Sequence, residues 1–243
     1  MTSSYPVPPF GKPFIEASSK RIRVLFGGKY IVDTKQAKLV WEHPNYPLYF
    51  FHTSDLASSH LRPTSQAQEG VKIYDLVVGD REAKNAVTEF TDKESDLAGL
   101  LKVNFSAADA WLEEEERIYG HPKNPYKRVD VLQSSRHVRI EVKGVEIANT
   151  KHPRLLFETN LPVRKYMPLT DVRVDFLRPS DTTSVCPYKG VANFYHVELP
   201  NGEVHKDIIW YYRTPQPECV QIMGFLAFYD EKVDVWVDGE KQK

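Results

Sequence analysis

The sequence is short of the features that most readily declare a function. It holds two cysteines in 243 residues, Cys186 and Cys219, and no Cys-x-x-Cys pair, so neither a disulfide framework nor a zinc clip is encoded. Long hydrophobic runs are absent. The longest apolar stretch, Val220 to Tyr229, is interrupted by Gln221 and falls far short of the roughly 20 residues that a membrane-spanning helix needs. The opening MTSSYPVPPFGKPF has no basic segment leading into an apolar one, so a cytoplasmic protein without a secretory signal is expected, with both thiols free. Under that expectation the sequon Asn104-Phe105-Ser106 is a chance occurrence. Neither charge is in excess. Lys+Arg is 32 against Asp+Glu 33, a net charge of −1, which provides no global field for nucleic acid or for an anionic membrane. A small molecule is therefore the expected partner, with neither nucleic acid nor membrane, and no cofactor or metal motif is visible. The sequence specifies no oligomeric state.

What it does contain is a repeat. Shifting the chain by 116 residues lays Ile22–Pro63 on Val138–Pro179 without a gap and matches 11 of 42 positions, among them Arg23/Arg139, Gly28/Gly144, Glu42/Glu158 and Arg62-Pro63/Arg178-Pro179. Average residue usage of about 6% per type would give two or three. Farther along, the offset drifts to 125, where Ala108–Trp111 meets Val233–Trp236. These matches place an N-terminal arm at 1–14, a degenerate repeat A at 15–115, a connector at 116–136 and a motif-bearing repeat B at 137–243. The periodicity within each repeat is two: Val138, Ile140 and Val142 alternate with polar residues before Gly144 opens a turn, and Asn201-Gly202 marks a hairpin. Ser106–Glu116 is composed of helix formers, yet its counterpart alternates as a strand, so it is read as a strand too. The fold class expected is mostly β, two tandem antiparallel domains.

Repeat B carries FETNLPVRKYMPLTDV (157–172), LRPSDTTSVCPYKG (177–190), HKDIIWYYRTPQPEC (205–219) and LAFYDEKVDVWVDGE (226–240), and repeat A carries YDLVVGD (74–80) and DAWLEEEE (109–116). Through these strings the chain resembles tandem members of the domain-of-unknown-function family numbered 427, which also bears a nucleotidyltransferase-like label. The resemblance implies a β-tent-like fold, similar in outline to methionine sulfoxide reductase B and the cereblon ligand-binding domain, and implies no activity. The label has no echo in the residues: no paired-Asp metal motif is visible, nor a glycine-rich phosphate loop ending in Lys-Ser/Thr.

Candidate chemistry concentrates in repeat B, whose SDTTSVCPYKG segment stands where repeat A has only TSQAQEG. Cys186 with Lys189 three residues on reads either as a thiol activated by a nearby ammonium or as a small buried hydrophobe under a turn. His205 and Asp207, two apart on a strand, read as an oriented general base or as a wet strand face. Arg164, unlike Arg178 and Glu158, has no charged counterpart in repeat A, where Leu48 stands, and is the better ligand-binding candidate; Arg178 and Glu158 are assigned structural roles. Tyr166, Tyr188, Tyr195, Trp210 and Tyr212 form either an aromatic cage or core, while Trp111 and Trp236, matched between the copies, read as core. Three functions compete: a small-molecule binding module in repeat B, which is preferred; an enzyme using Cys186 with His205 and Asp207; and a structural or interaction protein. A nucleotidyltransferase comes last.

Overall fold

A computed structural model describes residues 13–66 and 69–242; Pro6, Pro8 and Pro9 lie outside them. The chain divides into two compact units, Met1–Asn124 and Pro125–Lys243. In the N-terminal unit the strands are β1 (Phe14–Ala17), β2 (Ile22–Phe26), β3 (Lys29–Thr34), β4 (Lys38–His43), β5 (Tyr46–His52), β6 (Leu61–Pro63), β7 (Val71–Val78), β8 (Arg81–Phe90), β9 (Leu100–Val103), β10 (Ala110–Glu113) and β11 (Glu116–Ile118). The C-terminal unit repeats the series as β12 (Val129–Gln133), β13 (Val138–Val142), β14 (Val145–Thr150), β15 (Arg154–Glu158), β16 (Arg164–Pro168), β17 (Leu177–Cys186), β18 (Gly190–Glu198), β19 (Val204–Tyr212), β20 (Phe225–Phe228), β21 (Asp234–Val237) and β22 (Glu240–Lys241). Each unit has a seven-stranded sheet, ordered β1-β4-β5-β9-β8-β7-β6 or β12-β15-β16-β20-β19-β18-β17, and a four-stranded one, β11-β10-β2-β3 or β14-β13-β21-β22. The fold is mostly β, with two antiparallel sheet pairs in tandem, as the repeat and the period of two predict. No helix among the described residues is long and apolar enough to cross a membrane.

The period of two is what gives the large sheet two cores. On one face of the C-terminal unit's large sheet, Met167, Val197, Ile209, Leu226 and Phe228 pack on Val138, Ile140 and Val235 of the small sheet. Their strand neighbours Tyr166, Trp210, Tyr212 and Ala227 turn the other way, into a second cluster with Leu156, Phe194, Cys219 and Ile222. The N-terminal unit has the same second face, with Val40, Phe50, Leu97 and Leu100 flanked by Leu48 and Phe90.

Turn chemistry repeats as well. Gly27-Gly28 and Lys143-Gly144 both hold positive φ between paired strands, the requirement of a two-residue hairpin turn. Glu114 and Asp238 share φ 53° in the turns after β10 and β21, so the acidic run of 113–116 is a strand, a turn and a strand despite its helix-favouring composition.

Three expectations about organisation meet a different arrangement. The stretch 116–136, read as a connector, contains β11 and β12, the latter being the counterpart of β1. Phe14, placed in the arm, opens β1 and pairs with Trp41. Trp236 is not the counterpart of Trp111: Trp111 pairs with Val24, whereas Val235 pairs with Ile140 and Trp236 with Arg139. The offset there is thus 124, and a slip of one residue turns a side chain to the opposite face. Trp111 is 2% exposed; Trp236 lies half-buried beneath the Arg139 guanidinium, 4.3 Å from the ring centroid.

Phe228 is 1% exposed between the two sheets. Phe228→Ala is expected to lower the unfolding free energy by roughly 3–5 kcal/mol, read as a lower urea midpoint at unchanged slope. A loss below about 1 kcal/mol would show that the sheets do not share this core.

Candidate functional site

The second face of the C-terminal large sheet is incompletely filled. Over it lies a cavity of about 190 Å³ lined by Tyr166, Phe194, Trp210, Tyr212 and Tyr229, with Glu158 and Lys189 among the polar groups of its wall. The rings present both faces and edges: Tyr166 meets Trp210 edge-on with centroids 6.3 Å apart, and Tyr229 tilts over Trp210 at 4.6 Å. Trp210 Nε1 donates to the Tyr166 hydroxyl at 3.1 Å, which fixes both rings. Tyr212, 4% exposed, makes no hydrogen bond through its hydroxyl to any described residue. Burial pushes the ionisation of Tyr166 and Tyr212 well upward, so both hydroxyls keep their protons.

The polar wall is an ion cluster. Glu158, 8% exposed at the end of β15, receives Lys189 Nζ on Oε2 at 2.5 Å and Lys127 Nζ on Oε1 at 2.8 Å. Desolvation works to raise the Glu158 carboxyl, but the two ammoniums outweigh it and the carboxyl lies below its ordinary range. Desolvation likewise works against the Lys189 charge, and nearby Cys186 and Glu158 more than restore it, so its ionisation is raised. Arg164 sits on the cavity's rim, bound through both nitrogens to Glu231 at 2.9 and 3.3 Å and stacked over Trp210 at 5.6 Å.

Lys189 is positioned by a tight turn. The segment around Cys186 is the far half of β17, which pairs with β18 as far as Cys186 opposite Gly190, leaving Pro187–Lys189 as the turn. Gly190 has φ 99°, and a Cβ there would stand 3.1 Å from the Thr214 carbonyl oxygen. Only glycine permits both. The Lys189 carbonyl accepts from Gln216 N at 3.1 Å, pinning the turn to the segment before Pro217–Ile222, a 3₁₀ stretch that carries Cys219 over the rings.

The candidates therefore divide. Arg164, Tyr166, Lys189, Trp210 and Tyr212 come together at the cavity. Tyr188 is 7% exposed beneath Lys127, whose ammonium lies 5.4 Å from its ring centroid. Tyr195 is on the opposite face, stacked on Tyr211 at 4.8 Å. Cys186 is half-buried and Cys219 fully buried, both as free thiols, and burial pushes the Cys219 thiol up to about 11. His205 is not near Cys186: it pairs with Val197 while Cys186 pairs with Gly190, seven residues along β18, or about 23 Å at 3.3 Å per residue. Nor does Asp207 orient His205. A bulge sets Lys206–Ile208 against His196 alone, Asp207 has φ 50°, its backbone N–H donates to His196 Nδ1 at 3.0 Å, and its carboxylate accepts from Thr182. His205 Nε2 lies 3.1 Å from Glu203 instead. The bulge is built into the fold, since in the N-terminal unit Asp75 accepts from the backbone of Asn85, φ 51°, at the equivalent place.

Sequence reasoning passed over three residues. Glu158 was given a structural role because Glu42 matches it, and Lys127 fell in the stretch read as a connector; Tyr229 stood unexamined inside the AFY string. No alternation in NPYKRVD marks Lys127; the period of two begins only with Val129-Asp130-Val131 of β12.

The N-terminal unit treats the same face differently. By register Tyr166, Tyr212, Glu158 and Arg164 correspond to Phe50, Phe90, Glu42 and Leu48, and Ala227 to Lys102. Lys102 Nζ lies 5.7 Å from both the Phe50 and Phe90 centroids and donates to both oxygens of Glu42 at 2.8 and 2.6 Å. Among the described residues no group of three or more His, Cys, Asp or Glu is arranged to hold a metal ion.

The profile of the family described as Domain of unknown function (DUF427) matches residues 14–114 and again 130–239. No curated protein matches the chain.

Glu158 contributes stability that is complete above its ordinary value of 4.5 and is lost as pH falls through the lower value it holds in the fold. Glu158→Gln leaves two lysines without their anion and is expected to cost roughly 3 kcal/mol at pH 7, with a flatter acid limb in a stability–pH series. Equal stability of variant and parent would show that the cluster is solvated. Alkylation at pH 8 is expected to modify Cys186 and spare Cys219, checked by peptide mass mapping against Cys186→Ser.

Proposed function

The chain belongs to the DUF427 family as a tandem member, and on that premise we propose that its C-terminal unit is a small-molecule binding module whose site is the cavity over Tyr166, Trp210 and Tyr212. The observation that carries the reading is a contrast between two copies of one scaffold. The N-terminal copy lays the Lys102 side chain across its rings, whereas the C-terminal copy has Ala227 at that register position and an open cavity beside it. An apolar recess with a few convergent polar groups is the general form of a ligand site.

Catalysis by Cys186 has less behind it, since the base paired with it at first reading lies at the other end of β18. A purely structural role leaves the open cavity and the surplus lysine without an account.

A thermal-shift screen of small planar metabolites tests the proposal. A ligand is expected to raise the melting temperature in step with the logarithm of its concentration, a stabilisation of about 2.7 kcal/mol at a hundred times its dissociation constant. Ala192→Leu, which fills the cavity from β18, is expected to fold and to abolish the shift. An unchanged shift in Ala192→Leu would place the binding elsewhere.

A further inference from the structure

The wall of the cavity carries more positive charge than it neutralises. Glu42 in the N-terminal unit meets one ammonium, Lys102, and the account balances. Glu158 meets two, and the side chains of all three partners are largely buried: 18% exposed for Lys127, 14% for Lys189 and 6% for Glu158. Arg164 does not alter the sum, because Glu231 pairs with it. One cation is left over beside aromatic faces, and a buried charge is costly unless it is paired.

We propose that the ligand of this cavity is a small planar acid, its ring seated among Tyr166, Trp210 and Tyr212 and its carboxylate received by Lys189, with Lys127 holding the other oxygen of Glu158 behind it. The proposal rests on the cavity's being a binding site and names the chemical class that fits it. Lys127 reaches Oε1 of Glu158 and Lys189 reaches Oε2, so each ammonium has further N–H groups to offer. The hydroxyl of Tyr212, which also lines the cavity, supplies another donor. A ligand carboxylate there restores charge balance through charge-assisted hydrogen bonds, which are stronger than neutral ones. A cationic ligand of the same shape meets two ammoniums that are already there.

Cys186 is the other group that acts electrostatically on Lys189. A thiolate at Cys186 would itself neutralise the surplus and remove the preference for an acid.

The test uses the full chain and three probes of one shape, benzoate, benzamide and benzylamine, titrated at pH 7 by calorimetry. Benzoate is expected to bind at least about tenfold more tightly than benzamide, and benzylamine least. Lys189→Met, which leaves Glu158 and Lys127 as a balanced pair, is expected to fold and to bind benzoate and benzamide alike. Benzamide or benzylamine binding as well as benzoate would overturn the acid class and leave the cavity as a site. Silence from all three probes would overturn both readings. A benzoate preference confined to Cys186→Ser would overturn the acid class in the native protein by assigning the balancing charge to the thiolate.

Discussion

A sheet that is apolar on both faces needs two covers, and the small sheet of each unit supplies only one. Met167, Leu226 and Phe228 are buried against it, and their neighbours Tyr166, Ala227 and Trp210 must then point away from it. That constraint governs the remainder of the C-terminal unit. Something else has to shield the second face, and what the chain provides is irregular: the 3₁₀ segment Pro217–Ile222, which brings Cys219 and Ile222 down onto the rings, and the Pro187–Lys189 turn pinned to Gln216. Strands close-pack against strands, but a short 3₁₀ stretch and a three-residue turn do not fill the space over four aromatic rings. The cavity is the remainder.

Charge enters through the same cover. Bringing Lys189 in on the turn and Lys127 in ahead of β12 puts two ammoniums on Glu158, where water cannot screen them well. Glu158 cannot be exchanged for an apolar residue without stranding both lysines, and neither lysine can leave without changing the balance at the carboxylate. The cluster thus ties the C-terminal end of β15 to two segments that belong to no sheet interior. Stability and local charge are carried by the same three side chains.

How much of this could be read from the sequence follows from which forces leave a local trace. The repeat, the strand periods and the Gly144 and Gly202 turns were legible because side-chain alternation and positive φ are written residue by residue. The aromatic cluster was legible in part: Trp210 and Tyr212 share a face by parity, and Tyr166 was placed with them through its motif. Parity fails at a bulge and wherever two copies are aligned one residue out of register, and each accounts for one misreading. His205 and Asp207 were assigned a common face, but the bulge opposite His196 absorbs the intervening residues; Trp236 was matched to Trp111 one residue out of register. Lys127 is a different case. Its partner Glu158 is distant in the chain, the pair lies on two elements joined by the sheet, and no local pattern in NPYKRVD records that.

Comparison of the two units shows why one copy retains room and the other does not. A lysine at the position of Ala227 is compatible with the scaffold because Glu42 waits at the end of its reach and two phenyl faces accept its ammonium. The same lysine in the C-terminal unit would approach a carboxylate that already holds two cations and rings that carry hydroxyls. The turn after β17 therefore does more than add residues. By delivering Lys189 to Glu158 from the side, it satisfies the carboxylate without crossing the rings, and the face that Lys102 covers in one copy stays open in the other. The inserted turn and the small residue at 227 are two halves of one change, and either alone would leave a buried charge unpaired or a cavity without its polar wall.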